Sequence, residues 1–304
     1  MISDRQPRRF LDPQVLARLA AVPLVARKPM AGSVSGRHAS PHRGSSVEFA
    51  EYREYVPGDD LRRLDWRAFG RSDRHYVKEY EADTNLRLCL VLDTSGSMGY
   101  AAPPRPPRID LARSICGTLA YLAAQQGDAV GVSCVADGVV RTLPPRRSPA
   151  HLRLVLDVLE QATPAGGTRL PEVLHELAET IRQRALVVIV SDFLVPPEAL
   201  AGGFGHLRFR RHDVAAFHLL DPRELEFDFT RPTRFVDLEG GGSILADPAE
   251  IADRYHRAVA GYLAALRSLV LEMGIDYQRV STGDGCEQVL ARFLVGRAAA
   301  KGRR

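Results

Sequence analysis

An α/β fold, doubly wound around a mainly parallel sheet, is what the sequence predicts, and three features predict it. Residues 86–92 are apolar except for Arg87, and residues 185–190 are apolar throughout, as strands buried on both faces must be. Both runs stop abruptly at oxygen-bearing side chains, Asp93-Thr94-Ser95 in the first and Ser191-Asp192 in the second. From residue 86 onward, helix-period and strand-like segments alternate, the pattern of parallel strands joined by crossover helices.

The segments follow in order. Phe10, Leu11, Val15, Leu16 and Leu19 predict one short helix, after which Gly32, Ser33, Ser35, Gly36 and Ser40 mark a flexible linker to about residue 45. Residues 47–55 and 75–81 shorten towards period two and predict two strands of a small β-containing subdomain, 46–85, with a turn at Pro57-Gly58-Asp59-Asp60. Arg62, Arg63, Asp65, Arg67, Arg71, Asp73 and Arg74 surround the single Trp66, either as an electrostatic contact surface or as a solvated charge network.

In the main domain, 86–296, a proline-rich loop precedes a helix carrying Ile109, Ala112, Ile115, Leu119 and Leu122. Residues 128–135 and 139–143 form a strand and its antiparallel edge partner across the Ala136-Asp137-Gly138 turn. Ser148-Pro149 and Pro171 open two further helices, and the strand at 185–190 is followed by a helix over 197–209 and a strand over 214–220. Residues 233–238 and 243–246 read as a second hairpin through Gly240-Gly241-Gly242. Asp247-Pro248-Ala249-Glu250 then caps the longest helix, which Gly274 closes. A last strand over 275–280, a last helix over 286–295 and a disordered basic tail, 297–304, complete the expectation.

Composition narrows the function classes. The formal charge is +4, and residues 297–304 hold four basic side chains without an acid, so the remainder is neutral. Binding of nucleic acid by the folded body is therefore not expected. Cys89, Cys116, Cys134 and Cys286 contain no C-x-x-C pair and fit buried free thiols in a reducing compartment. No apolar run approaches the about 20 residues that span a bilayer, and the N-terminus lacks the apolar core of a signal peptide. A cytoplasmic protein without direct membrane insertion is expected.

The chemistry concentrates where the buried strands stop. Parallel strands bring their carboxyl ends to one rim, where open α/β sheets bind ligands. Asp93 and Asp192 meet there if their strands lie close together. A third contributor is Thr168, following Gly166-Gly167, whose small residues let the backbone approach and aim the hydroxyl inward. Asp93, Ser95, Ser97, Thr168 and Asp192 supply oxygen only, which suits Mg²⁺, or another hard divalent cation such as Mn²⁺ or Ca²⁺, rather than zinc. Mg²⁺ would keep positions for water or for a carboxylate supplied by a partner protein.

This pattern resembles the metal-ion-dependent adhesion site of von Willebrand factor A-like domains, D-x-S-x-S followed by a distant Thr and a distant Asp. The resemblance assigns Asp93, Ser95, Ser97, Thr168 and Asp192 to that site. One departure concerns loop shape: Phe193 follows the second acid where many relatives have Gly. Upstream, Glu48-Phe49-Ala50-Glu51-Tyr52-Arg53-Glu54-Tyr55-Val56-Pro57-Gly58-Asp59-Asp60, with Arg62, Asp65 and Trp66, resembles a bacterial family catalogued as a domain of unknown function and commonly encoded beside MoxR-type AAA+ ATPases. Over residues 35–295 this resemblance implies an adaptor or co-chaperone of such an ATPase, or a binder of its client, acting in protein maturation or assembly.

Enzyme motifs fall short. Ser95 stands where a haloacid dehalogenase-type phosphatase has its second Asp, and the residue two before Ser97 is Ser95, not the first Gly of G-x-S-x-G. His175-Glu176 lacks the second His of H-E-x-x-H, since Glu179 occupies that position, and no P-loop occurs. A non-enzymatic, cation-dependent protein-binding module is the leading expectation. A Mg²⁺-dependent hydrolase using the same site is the alternative, because a bound cation can acidify water.

Overall fold

The computed structural model describes residues 8–27, 49–54, 76–80 and 86–302, and the chain divides into two compact units, 28–86 and the remainder. Within the first unit, β1 (Phe49–Glu54) pairs antiparallel with β2 (Tyr76–Tyr80), Glu54 lying opposite Tyr76, and the register slips between Phe49 and Glu51. The linker glycines, the Pro57–Asp60 turn and the charges around Trp66 lie outside the described residues.

The second unit is built on a six-stranded sheet of order β10-β7-β6-β3-β4-β5. Its strands are β3 (Arg87–Asp93), β4 (Ala129–Val135), β5 (Val139–Arg146), β6 (Leu186–Ser191), β7 (Asp213–Leu220) and β10 (Asp276–Ser281). All neighbours run parallel except the β4–β5 pair at one edge. The two apolar runs, β3 and β6, are adjacent central strands with Leu92 opposite Val190. Strands covered on both faces have no polar side to alternate, and every residue of β6 is buried.

Helices cover both faces. After α1 (Pro13–Leu19), one layer contains α2 (Arg108–Gln125) and α3 (Pro149–Gln161), and the other contains α4 (Leu170–Thr180) and α5 (Pro197–Phe209). Beyond the short α6 (Pro222–Glu226), β8 (Thr233–Val236) and β9 (Ser243–Ala246) form a separate antiparallel pair. The 25-residue α7 (Pro248–Glu272) buries Leu266 and Val270 against the α4 and α5 layer, and α8 (Cys286–Gly302) joins α1 and α2 on the opposite face. The cysteines are free thiols, three of them buried. Among the described residues no helix is long and apolar enough to cross a membrane.

Two expected boundaries move. The stretch from 297, expected to be a disordered tail, is helical to Gly302, and Arg297 is 1% exposed. Its Nε donates to the Val25 carbonyl (2.7 Å), Nη1 pairs with Asp276 (2.9 Å) and Nη2 with Asp213. Local charge counting misses this because the partners begin β7 and β10, far away in sequence. Likewise, α1 and the residues to Arg27 belong to the sheet-bearing unit instead of a separate N-terminal segment. Arg8 pairs with Asp157 (2.5 Å) and Glu160 (2.7 Å) of α3.

Candidate functional site

β3 delivers Asp93 to the carboxyl end of the sheet, 2% exposed. Its Oδ1 accepts from the Ser95 backbone N–H (2.9 Å), a local turn that bends the chain off the strand. Its Oδ2 accepts from Ser191 Oγ (2.5 Å), at the end of the neighbouring β6. The turn after β3 then places Ser95 Oγ and Ser97 Oγ 3.1 Å apart, both buried.

Asp192 follows on the same rim and is also buried. Burial, with the neighbouring Asp192 charge adding to it, pushes the Asp93 carboxyl up to about 7, against the pull of the hydrogen bonds from Ser191 and Ser95. Behind Asp192, Phe193 holds φ 51°, the left-handed region that favours glycine. Its N–H donates to Ser191 Oγ (2.8 Å), and its carbonyl accepts from Tyr262 of α7. The Phe in place of Gly therefore keeps the glycine-like turn, held by contacts on either side.

Thr168 lies in a loop tied to the Asp93 turn by two backbone bonds, Gly96 N–H to Gly166 O and Ala165 N–H to Thr94 O, each 2.9 Å. Gly166 has φ 75°, the left-handed conformation that favours glycine, while the nearest atom to a Cβ there, Asp137 Oδ2 at 2.7 Å, belongs to an exposed side chain that could move aside. The side chain of Thr168 is half-buried beside this junction. Loops carrying all five expected residues thus gather at one end of the sheet. Asp93, Ser95 and Ser97 share one hydrogen-bonded turn, Asp192 adjoins it, and Thr168 arrives on a separately anchored loop.

Three residues near this rim were given no site role from the sequence. Ser191, read there only as part of the oxygen-bearing end of its strand, ties Asp93 to β6. Arg108, at the first turn of α2 and 1% exposed, donates to Asp192 Oδ2 (2.5 Å) and to the Ser97 carbonyl (3.3 Å), and pairs with Glu224. Its guanidinium also lies 5.1 Å from the centre of the Tyr100 ring. Glu239, on the loop between β8 and β9, lines the same cavity as Ser97. This cavity, about 530 Å³, is walled by Phe227, Phe229, Phe235 and Tyr255.

The donor set fits a hard cation. Oxygens on adjacent corners of a Mg²⁺ octahedron with bonds of about 2.0–2.1 Å lie about 2.8–3.0 Å apart, and the two serine hydroxyls are separated by 3.1 Å. Asp192 has Arg108 as counter-charge, while the ties to Asp93 from Ser191 and Ser95 are neutral hydrogen bonds. Among the described residues no group of three or more His, Cys, Asp or Glu side chains could hold a metal, so a cation here would depend on hydroxyl oxygen.

Residues 51–262 match the family described as "Protein of unknown function DUF58". The chain belongs to the DUF58 family. Uncharacterized proteins of Mycobacterium tuberculosis and Mycobacterium bovis are each 29% identical to this DUF58 member over 298 residues, spanning 94% of this chain and 90% of theirs. Among solved structures, BatB from Bacteroides thetaiotaomicron aligns with 71% of this chain and 100% of its own at 16% identity and a TM-score of 0.44. An aerotolerance-related membrane protein from Bacteroides fragilis aligns with 72% and 100% at 16% identity and a TM-score of 0.43.

Proposed function

We propose that this DUF58 protein is a divalent-cation-dependent protein-binding module with a von Willebrand factor A-like core. In this reading Asp93, Ser95, Ser97, Thr168 and Asp192 hold Mg²⁺, directly or through water, and a partner protein supplies an acidic side chain to the remaining face. The observation that carries it is the pair of buried serine hydroxyls, 3.1 Å apart, beside the Asp93 carboxylate at the end of a central parallel strand. When bound, Mg²⁺ supplies an electrophilic point that recognises carboxylate oxygen. The chain's own residues orient it: Ser191 fixes the Asp93 rotamer, Arg108 restrains Asp192, and the Gly166 turn carries the Thr168 loop to the rim.

The partner in this reading is a MoxR-type AAA+ ATPase or its client in the cytoplasm, with this chain acting as a non-enzymatic adaptor. The test is capture of a purified MoxR-type ATPase on immobilised protein, with Mg²⁺ or with EDTA. Capture is expected in Mg²⁺ and is lost in EDTA and in Asp93→Ala. Capture that ignores both changes overturns the reading. Metal-dependent turnover of a phosphoester, abolished by Asp93→Ala, would replace it with the hydrolase.

A further inference from the structure

The six-stranded sheet ends differently at its two edges. At one, β5 carries Pro144 and Pro145, and its pairing with β4 shifts register twice. Proline lacks the N–H that an added strand would bond and irregular pairing bends an edge away, so this side resists a further strand. At the other edge, β10 contains no proline and keeps unbroken parallel register with β7 from Asp276 to Ser281.

The backbone groups that β10 presents follow from alternation. Just past the strand, the Thr282 N–H donates to the Leu220 carbonyl of β7 (2.9 Å). Ser281 faces the other way: its N–H donates to Asp284 Oδ2 (3.4 Å) and its carbonyl accepts from the Asp284 N–H (2.9 Å). Alternate residues of a parallel strand turn their backbone groups to opposite neighbours, so Tyr277 and Arg279 point theirs outward from the sheet. Among the described residues these outward groups have no hydrogen-bond partner.

Between this strand and α7 lies a cleft of about 700 Å³, with Leu271, Ile275 and Tyr277 supplying apolar wall and Arg27, Arg267 and Arg279 supplying charge. Arg27 is drawn to Asp276 (3.0 Å). Arg267 and Arg279 are exposed and pair with no carboxylate among the described residues. Burial pushes the Tyr277 hydroxyl up to about 12, and the charges of Arg279 and Arg267 pull against it, so both guanidinium groups act at that ring. A second copy of this chain added through β10 would set these like charges side by side. An acidic strand would neutralise them.

We propose that the β10 edge is a docking site for an extended acidic segment of a partner protein, which adds to the sheet as a further strand. Its backbone bonds to Tyr277 and Arg279, its alternate side chains enter the cleft, and its carboxylates face Arg267 and Arg279. This site does not rest on the reading of the Asp93 rim as a cation site.

The test adds a fluorescein-labelled octapeptide of alternating Glu and Val to the full chain, with anisotropy for affinity and amide hydrogen exchange for location. Binding is expected to protect the amides of Tyr277 and Arg279 and to leave that of Gln278, which faces β7, unchanged. Arg267→Glu combined with Arg279→Glu is expected to bind about tenfold more weakly and to prefer the peptide with Lys in place of Glu. Both positions are exposed, so that variant should keep the wild-type unfolding midpoint. A fully N-methylated acidic peptide, which cannot donate a backbone bond, should not bind. Failure of wild type to bind the acidic peptide overturns the inference, as does equal affinity in the charge-reversed variant or binding that leaves Tyr277 and Arg279 unprotected. A dimer in sedimentation whose formation protects the same two amides assigns the edge to a second copy and overturns it as well.

Discussion

The two ends of the central sheet both bury aspartates and an arginine, and they use them differently. At the amino end, Asp213 and Asp276 begin β7 and β10, and Arg297 spans them while also donating to the Val25 carbonyl. Arg27 adds its backbone N–H to Asp213 (2.7 Å) and its guanidinium to Asp276 (3.0 Å). At the carboxyl end, Arg108 joins Asp192 and Glu224, whereas among the described residues Asp93 is held by neutral donors. One end is a closed clamp joining the N-terminal segment, the sheet and α8. The other keeps a carboxylate and two hydroxyls without a cation, which costs stability unless the site has a use for them.

The clamp gives the largest expected effect. Arg297→Met removes the guanidinium that bridges Asp213 and Asp276, leaving Asp276 paired with Arg27 and Asp213 held by the Arg27 N–H, and should cost about 3 kcal/mol, read as a lower midpoint in urea denaturation. Adding Asp213→Asn to the same chain should recover much of that loss, because it removes the carboxylate left without its guanidinium. A small loss for Arg297→Met would break the comparison, since the clamp would then not be structural.

At the opposite rim the effect should be smaller and should depend on pH. A carboxyl whose pKa is higher in the folded than in the unfolded chain binds more protons when folded, so its contribution falls as pH rises between the two values. For Asp93 that window runs from the ordinary aspartate value near 4 to about 7. In EDTA, Asp93→Asn should therefore gain on wild type across this window and exceed it at pH 8, by on the order of 2 kcal/mol. His212 and His218, pushed down by burial to about 4 and about 3, pull the other way as pH falls, but both proteins carry them. Saturating Mg²⁺ should restore wild type at pH 8 and leave Asp93→Asn unmoved. Parallel pH curves measured by thermal unfolding would show that Asp93 is as satisfied as the clamp.

What the sequence disclosed follows the range of the forces involved. The buried strands were legible because apolar runs and turn residues are local signals, and the Ser95–Ser97 turn was legible because its spacing is local too. Asp192 could be placed on the rim through the parallel-strand rule and the family resemblance, not through local spacing. Arg297 was misread as part of a free tail, and Arg108 passed unnoticed in an amphipathic helix, because the meaning of each lies in carboxylates some 21 to 84 residues away. Glu239 was hidden for a different reason: its position depends on how a hairpin loop folds back over Gly96, where a Cβ would lie 2.1 Å from the Leu238 carbonyl oxygen, a contact that no periodicity encodes.

Thr168 should give the smallest effect, and it separates the two ends most cleanly. Its loop is anchored by backbone bonds from Gly96 and Ala165, which a side-chain change leaves in place. Thr168→Ala should therefore keep the metal-free unfolding midpoint within about 0.5 kcal/mol of wild type, as half-buried positions outside the core usually do. Losing one neutral oxygen ligand should weaken Mn²⁺ binding by about five- to tenfold, or about 1–1.4 kcal/mol. The same difference must reappear as a smaller Mn²⁺-induced rise in stability, since a ligand bound only by the folded state stabilises it in proportion to the logarithm of its occupancy ratio. A variant destabilised equally with and without Mn²⁺ would class Thr168 with Arg297, as a structural residue, and the cation would have to be held by Asp93, Ser95, Ser97 and Asp192 alone.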